Sequence, residues 1–279
     1  MEAVTVIPSA LGVRQPGWAD GSGVARFLRH SGAIAAVELD KLLRDPTEIL
    51  TRAIQPSLWL IVFGEVFTRT RAIPTGSLSY LDFMAPGVLA QSVLFTAIFY
   101  GIAVIWERDL GIVHKLLVSP ASRESLVFGK ALAAGLRALT QAVFIVLLAL
   151  ILGVHVRHSA GSLGGVALVV MLGGALFSTF SFVIACLVKT RERFMGIGQV
   201  LTMPLFFASN AIYPLSMMPA WLARVARFNP LTYLVSALRS LMLAGGPASS
   251  SIATDVGVLA SVFVLLLLMG ARLYPGIAR

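Results

Sequence analysis

Residues 83–120 read FMAPGVLAQSVLFTAIFYGIAVIWERDLGIVHKLLVSP, and the change of character inside this stretch organises the chain. From 83 to 105 there is no charged residue. That run alone is long enough to cross a bilayer core, which takes about 20 apolar residues. The next ten residues then hold four ionisable groups, Glu107, Arg108, Asp109 and Lys115, without counting His114. On a helical wheel Leu110, Ile112, Val113, Leu116 and Leu117 share an arc of about 160°, a width suited to packing. Glu107, Arg108, His114 and Lys115 face the other way, with Asp109 the exception. Ser119-Pro120 closes the segment, because a residue before proline disfavours the α region. A span thus leads directly into a small two-faced helix over 107–118. Two readings of that helix are open on spacing alone. It joins two spans along the membrane surface, or it docks onto a soluble partner.

The composition agrees with a membrane protein. Of 279 residues, 57% are hydrophobic and only 13% charged, against about 25% charged in soluble domains. Mean hydropathy is +0.87. The net charge of +9 comes without a dense Lys/Arg cluster, so loops of the positive-inside kind account for it better than nucleic acid does. Cys186 is the single cysteine, which excludes an internal disulfide and reads as a small packed residue. His155 and His158 have no third ligand nearby, so no metal is expected. No Ser/His/Asp grouping suggests a catalytic residue. Residues 1–22 are rich in Gly, Pro and small side chains and read as a flexible tail without a signal peptide. Residues 23–279 read as one transmembrane domain.

An amphipathic helix is expected over 24–44. Val24, Phe27, Leu28, Leu39, Leu42 and Leu43 fall on one half of its wheel. Arg26, Arg29, His30, Asp40, Lys41 and Arg44 fall on the other, the pattern of a helix lying in the membrane interface. Six spans are then expected, at about 50–68, 83–105, 131–154, 163–188, 194–213 and 254–274. The first is the shortest and contains Pro56. The fifth continues without charge to Ala223 but meets Pro204, Pro214 and Pro219. Proline breaks helices, so broken, re-entrant pieces are expected before the last span. Six spans put both termini on one side. That side collects 16 of the Lys and Arg residues against 6 on the other, so both termini are expected in the cytoplasm of a bacterial plasma membrane. Ser122 with Ser125, or Ser119 with Ser122, would cap the third span's helix. Gln55, Gln91, Tyr100 and Asn210 are polar at membrane depth, where such groups serve as substrate contacts or interhelical bonds. With Phe95 and Phe99 they are candidates for a transport path.

Three blocks resemble one family. ERDLGIVHKLLVSPASRESLVFGK (107–130) is similar to the first cytoplasmic loop of type-2 ABC exporter permeases, the group that includes daunorubicin-resistance and nodulation-factor exporters. ELDKLLRDPTEILTRAIQPSLWLIVFGEVF (38–67) resembles that family's entry, an interface helix followed by Arg-Asp and the first span. ASNAIYPLSMMPAWLARVARFNPLTYLVSALRSLM (208–242) resembles its late signature. The resemblance covers about 30–275, with Ile112 standing where many members have Thr. It implies a coupling helix seated on an ATPase, with Glu107, Arg108, Asp109, Gly111, His114, Lys115, Leu117, Ser119 and Pro120 at the contact. It implies an interface helix using Arg26, Arg29, Lys41, Arg44 and Asp45. It also implies an extracellular gate built from Pro214, Pro219, Trp221, Asn229, Pro230 and Tyr233. The chain has no G-x-x-x-x-G-K-[ST] motif. ATP and Mg are therefore expected in two copies of a partner ATPase, with no cofactor here. A second permease, identical or a sister chain, would complete the pore. The implied cargo is an amphiphile such as a drug, antibiotic, lipid or glycolipid, or alternatively a polysaccharide. An ion-coupled carrier would instead want membrane-centred acids, whereas Glu65 and Asp255 fall at outer span ends.

Overall fold

The computed structural model describes residues 23–44, 47–70, 73, 75, 78–119, 121–188, 190–243 and 251–278. The architecture is helical. The long helices start where the sequence supplies a capping side chain. Ser79, Ser122, Ser159, Thr190, Asn229 and Ser251 each accept a hydrogen bond from a backbone N–H two or three residues on, satisfying one of the donors that a helix start leaves orphaned. Of the two expected caps before the third span, Ser122 is the one used. Ser119 instead donates its hydroxyl back to the Leu116 carbonyl.

The chain runs α1 (Gly23–Arg44), α2 (Thr47–Leu58), a π-helical turn (Trp59–Phe63), α3 (Gly64–Thr70), α4 (Tyr80–Asp109) and α5 (Ile112–Leu117). It continues as α6 (Arg123–Ile151), α7 (Ala160–Leu187), α8 (Arg191–Phe207), α9 (Ala220–Phe228), α10 (Pro230–Met242) and α11 (Ile252–Leu273). Four helices are long and apolar enough to cross a membrane: α4, α6, α7, and α11 with its continuation to Gly276. The first expected span is helical through residues 47–70 but comes in three pieces. Pro56, inside α2, cannot donate to the ladder, and the π turn follows it within one helical turn. The fifth is a 17-residue helix; turns over 208–213 and a 3-10 turn (Leu215–Met217) then lead to α9.

Helix α4 lies at the centre, packed by α6, α7, α8 and α10. Its residues from Phe83 to Leu94 are buried without exception, and they form one continuous core with α6, α7, α10 and α11. Close approach is bought with missing side chains. A methyl at Gly87 would overlap the Ala211 carbonyl, so the chain after α8 can cross directly over α4. At Gly174 an added Cβ would stand 2.8 Å from the Ala138 methyl and 3.0 Å from the Gly135 Cα, which fixes the α6–α7 crossing.

Candidate functional site

The expected single helix over 107–118 is divided. α4 continues through Asp109, residues 110–111 turn, and α5 begins at Ile112. The hinge is Gly111, whose φ of 70° is left-handed, a region costly to residues with a Cβ. This division reassigns Glu107. As part of α4 it is buried, and does not face outward with His114 and Lys115.

Glu107 enters a cluster of charges drawn from three helices. The Lys130 Nζ on α6 donates to Glu107 Oε2 at 2.5 Å. The Lys41 Nζ on α1 stands 3.7 Å from Glu107 Oε1 and 2.9 Å from Glu38 Oε1. Lys130 also lies 3.8 Å from Glu38. Arg137 reaches Glu38 Oε2 at 3.9 Å, donates to the Glu38 carbonyl at 3.4 Å, and lies 5.2 Å above the Tyr100 ring. Glu38, Glu107 and Lys130 are each at most 10% exposed at the side chain. Buried charges persist only when paired, and three cations against two carboxylates provide that. The cluster ties α1 and α6 to the end of α4. Ser31 adds a bond from α1 to the Ser125 carbonyl at the start of α6.

Burial pushes the Glu38 carboxyl up. The neighbouring charge of Lys130, then the hydrogen bond and charge of Lys41, more than offset this and hold it below its ordinary value of 4.5. A lowered native pKa stabilises the fold above the unfolded value and loses that contribution as pH falls through the native one. The Glu38 contribution to the thermal stability of the solubilised chain is therefore expected to be fully present, and constant with pH, around neutrality. Below about pH 4.5 it should drop, and a Glu38→Gln variant should show a weaker acid limb. Matching acid limbs in the two proteins would count against the pairing.

A second tether lies on the other side of the turn. Arg191 at the start of α8 donates to Asp109 Oδ2 at 2.9 Å and lies 4.8 Å over the Trp106 ring. Arg108 bonds Asp109 and the Val188 carbonyl. The α4 end is thereby held from both flanks. From this base α5 projects one anchor inward: Val113 is fully buried among Val104, Ile105, Leu126 and Tyr274. Of the expected apolar arc, Leu116 is half-buried while Leu110 and Ile112 are exposed, and Val118 beyond the arc is exposed too. Leu110 is 69% exposed, Val118 85% and Ile112 37%, beside exposed His114 and Lys115. Between α1, α5, α6 and the end of α4 lies an open cleft of about 250 Å³, lined by Ile34, Val37, Ile112 and Leu116 and by Glu38, Lys41, Glu107 and Lys130. The Leu117 side chain, Pro120 and Asp45 lie outside the described residues. Of the other expected interface residues, Arg26, Arg29 and Arg44 are exposed, and Arg44 pairs with Asp40.

At the opposite end, one of the expected gate residues, Asn229, joins two helices. The Asn229 Nδ2 donates to the carbonyls of Leu205 and Ala208 at 2.6 and 2.8 Å, and its Oδ1 accepts from the Leu231 N–H at 3.0 Å. One side chain thus closes the frayed end of α8 and opens α10, with Pro230 at the first helical position, where no donor is missed. Tyr233 donates to the Arg227 carbonyl and Tyr213 to that of Phe207. Pro214 and Pro219 precede the 3-10 turn and α9. Asn229→Ala removes three bonds and leaves carbonyls unmatched. It is expected to cost about 2–3 kcal/mol, read as a lower melting temperature; an unchanged melt would remove Asn229 from this role.

The path candidates are not gathered in one place. Gln91 and Asn210 are buried, Phe95 and Phe99 half-buried and 6.3 Å apart, and Gln55 exposed. Tyr100 belongs to the charge cluster. Sequence reading missed Glu38 and Arg239. Glu38 follows Ala35 by three and precedes Leu42 by four, so it falls on the apolar arc of α1, and an acid there is the signal. Arg239 is 3% exposed, donates to the carbonyls of Phe83 and Asn210, and lies 3.9 Å over the Phe83 ring.

Comparison with known proteins agrees with this architecture. Residues 31–243 match the family model described as ABC-2 type transporter. A putative transport permease, ycf38, of Cyanophora paradoxa is 32% identical over 203 residues, 72% of this chain and 70% of that protein. The daunorubicin resistance ABC transporter permease protein DrrB1 of Streptomyces coeruleorubidus is 27% identical over 199 residues, 71% of this chain and 69% of that protein. The probable doxorubicin resistance permease DrrC of Mycobacterium tuberculosis is 25% identical over 213 residues, 76% of each chain. The family match spans α1's buried face, the tethered turn, the α6–α7 pair and the Asn229 knot, and the chain belongs to the ABC-2 type transporter family.

Proposed function

We propose that this chain is the permease subunit of an ATP-driven exporter that moves an amphiphile out of the cytoplasm or inner leaflet. In this reading α2 to α3 and α8 complete six crossings, both termini lie in the cytoplasm, and residues 214–228 sit at the outer face of a bacterial plasma membrane. ATP and Mg bind two copies of a separate ABC ATPase, and a second permease, identical or a sister chain, completes the pore. The observation that carries the proposal is the α5 knuckle. A short helix with exposed Leu110, Ile112, Val118, His114 and Lys115 stands on a base that charges clamp from two sides. An exposed apolar patch with a cationic rim suits a soluble partner, and a rigid base passes the partner's movement to α4, α6 and α8 as a rigid-body shift. Resistance permeases among the relatives support an amphiphilic cargo.

The test uses inside-out vesicles holding the full-length chain with an ABC ATPase. Expected are copurification of the two subunits and ATP-dependent uptake of an anthracycline or a fluorescent lipid. A permease that purifies without any ATPase, or moves the cargo on an ion gradient alone, would overturn the proposal.

A further inference from the structure

Helix α9, AWLARVARF, has a face that nothing among the described residues covers. At 100° per residue, Trp221, Val225 and Phe228 fall within about 60° of one another. They are 62%, 50% and 90% exposed. Leu222, Ala223 and Ala226 form the inward side, with Ala226 fully buried. Arg224 borders the apolar stripe and Arg227 stands one step further round, both exposed. Neither has a carboxylate partner among the described residues. Arg224 makes only a 3.4 Å contact to the carbonyl of Ala220, one turn back. The helix is also held in place: the Tyr233 hydroxyl binds the Arg227 carbonyl at 2.7 Å, and Asn229 locks the turn that follows.

We infer that α9 is a membrane-interface anchor whose apolar stripe enters the bilayer and whose two arginines bind the phosphate headgroups of anionic phospholipids. A stripe of Trp, Val and Phe at this exposure is unfavourable in water and suits the headgroup boundary, where amphipathic helices with basic flanks insert. Guanidinium forks match phosphate oxygens in pairs. The charge also selects the occupant. A second copy on this face would bring four guanidiniums together without a counter-charge, whereas an anionic lipid surface supplies one. The inference rests on the outer-face placement of 214–228 in the exporter reading only for which leaflet is bound.

The experiment uses the full-length chain with Cys186→Ala and F228C, labelled with an environment-sensitive fluorophore. The protein is reconstituted in vesicles of phosphatidylcholine alone or mixed with phosphatidylglycerol. Expected are quenching by a lipid carrying a nitroxide near its headgroup and resistance to aqueous iodide. Copurified lipid should be enriched in phosphatidylglycerol over the bulk by about threefold or more, and R224Q/R227Q should bring it back to the bulk ratio at unchanged helix content. Iodide quenching, a disulfide between the F228C positions of two copies, or enrichment that survives R224Q/R227Q would overturn the inference. Lipid quenching at a position that impermeant reagents reach from the cytoplasmic side would uphold the anchor and overturn the exporter topology.

Discussion

Lys130→Met is expected to destabilise the protein by about 3–5 kcal/mol, the usual cost of removing one partner from a buried ion pair. Methionine keeps the length and volume of the lysine stem, so the small cavity that Lys130 lines with Tyr100 and Phe182 is little changed. What disappears is the cation 2.5 Å from Glu107 and 3.8 Å from Glu38. Lys41 is half-exposed and more distant from Glu107, and Arg137 stands at Glu38. Glu107 is then left charged and nearly buried. Adding Glu107→Gln to Lys130→Met should recover part of the loss, because it removes the uncompensated charge that the first change creates. Thermal unfolding of the full-length chain in detergent reads both variants. A single variant that melts like the parent, or a double variant worse than the sum of the singles, would show that Lys130 and Glu107 are not a pair.

Gly111→Pro should abolish ATP-driven transport while the protein still inserts and folds. Gly111 has φ 70°, and a proline ring holds φ near −65°. The substitution also deletes the N–H that donates to the Arg108 carbonyl at 2.9 Å. α5 must then leave its position at the end of α4, although the charge cluster below it is untouched. Coupling free energies between sites are about 1–3 kcal/mol, or 5–150-fold, so displacing α5 should drop ATP-linked transport to the level seen without ATPase. Gly111→Ala separates strain from displacement. An alanine in the left-handed region costs about 1–2 kcal/mol but leaves the helix start intact, so it should lower stability more than transport. Full transport by Gly111→Pro would remove α5 from the coupling role.

How much of this could be read from the chain depended on whether one helix contained the information. The amphipathic α1 was legible to within a residue, since its periodicity needs no neighbour. The presence of the long helices was legible for the same reason, although α4 and α6 run past their uncharged stretches to Asp109 and back to Arg123. The break at Gly111 was partly legible, because a glycine between charges and a short apolar arc marks a turn, but a wheel drawn across it turned Glu107 the wrong way. The charge cluster was not legible as a unit. Lys130 and Arg137 read as ordinary charges near a span end. Only the α1–α6 contact makes them partners of Glu38, and that contact is set by Ser31, Ile34 and the bare Gly129. The Asn229 knot failed for a similar reason. Asn-Pro announces a turn, yet the two carbonyls that Asn229 serves belong to the end of another helix.

The charge cluster also has a history in time. Arg137 follows Glu38 by 99 positions, and at about 5–20 residues per second a ribosome needs roughly 5–20 seconds to make that stretch. Through this interval the Glu38 carboxylate has Lys41 beside it on α1 but neither Lys130 nor Arg137, so α1 carries an acid on its apolar side without its α6 partners. The clamp closes when α6 emerges. The first helix of the described fold therefore depends for its charge pairing on residues made about a hundred positions later.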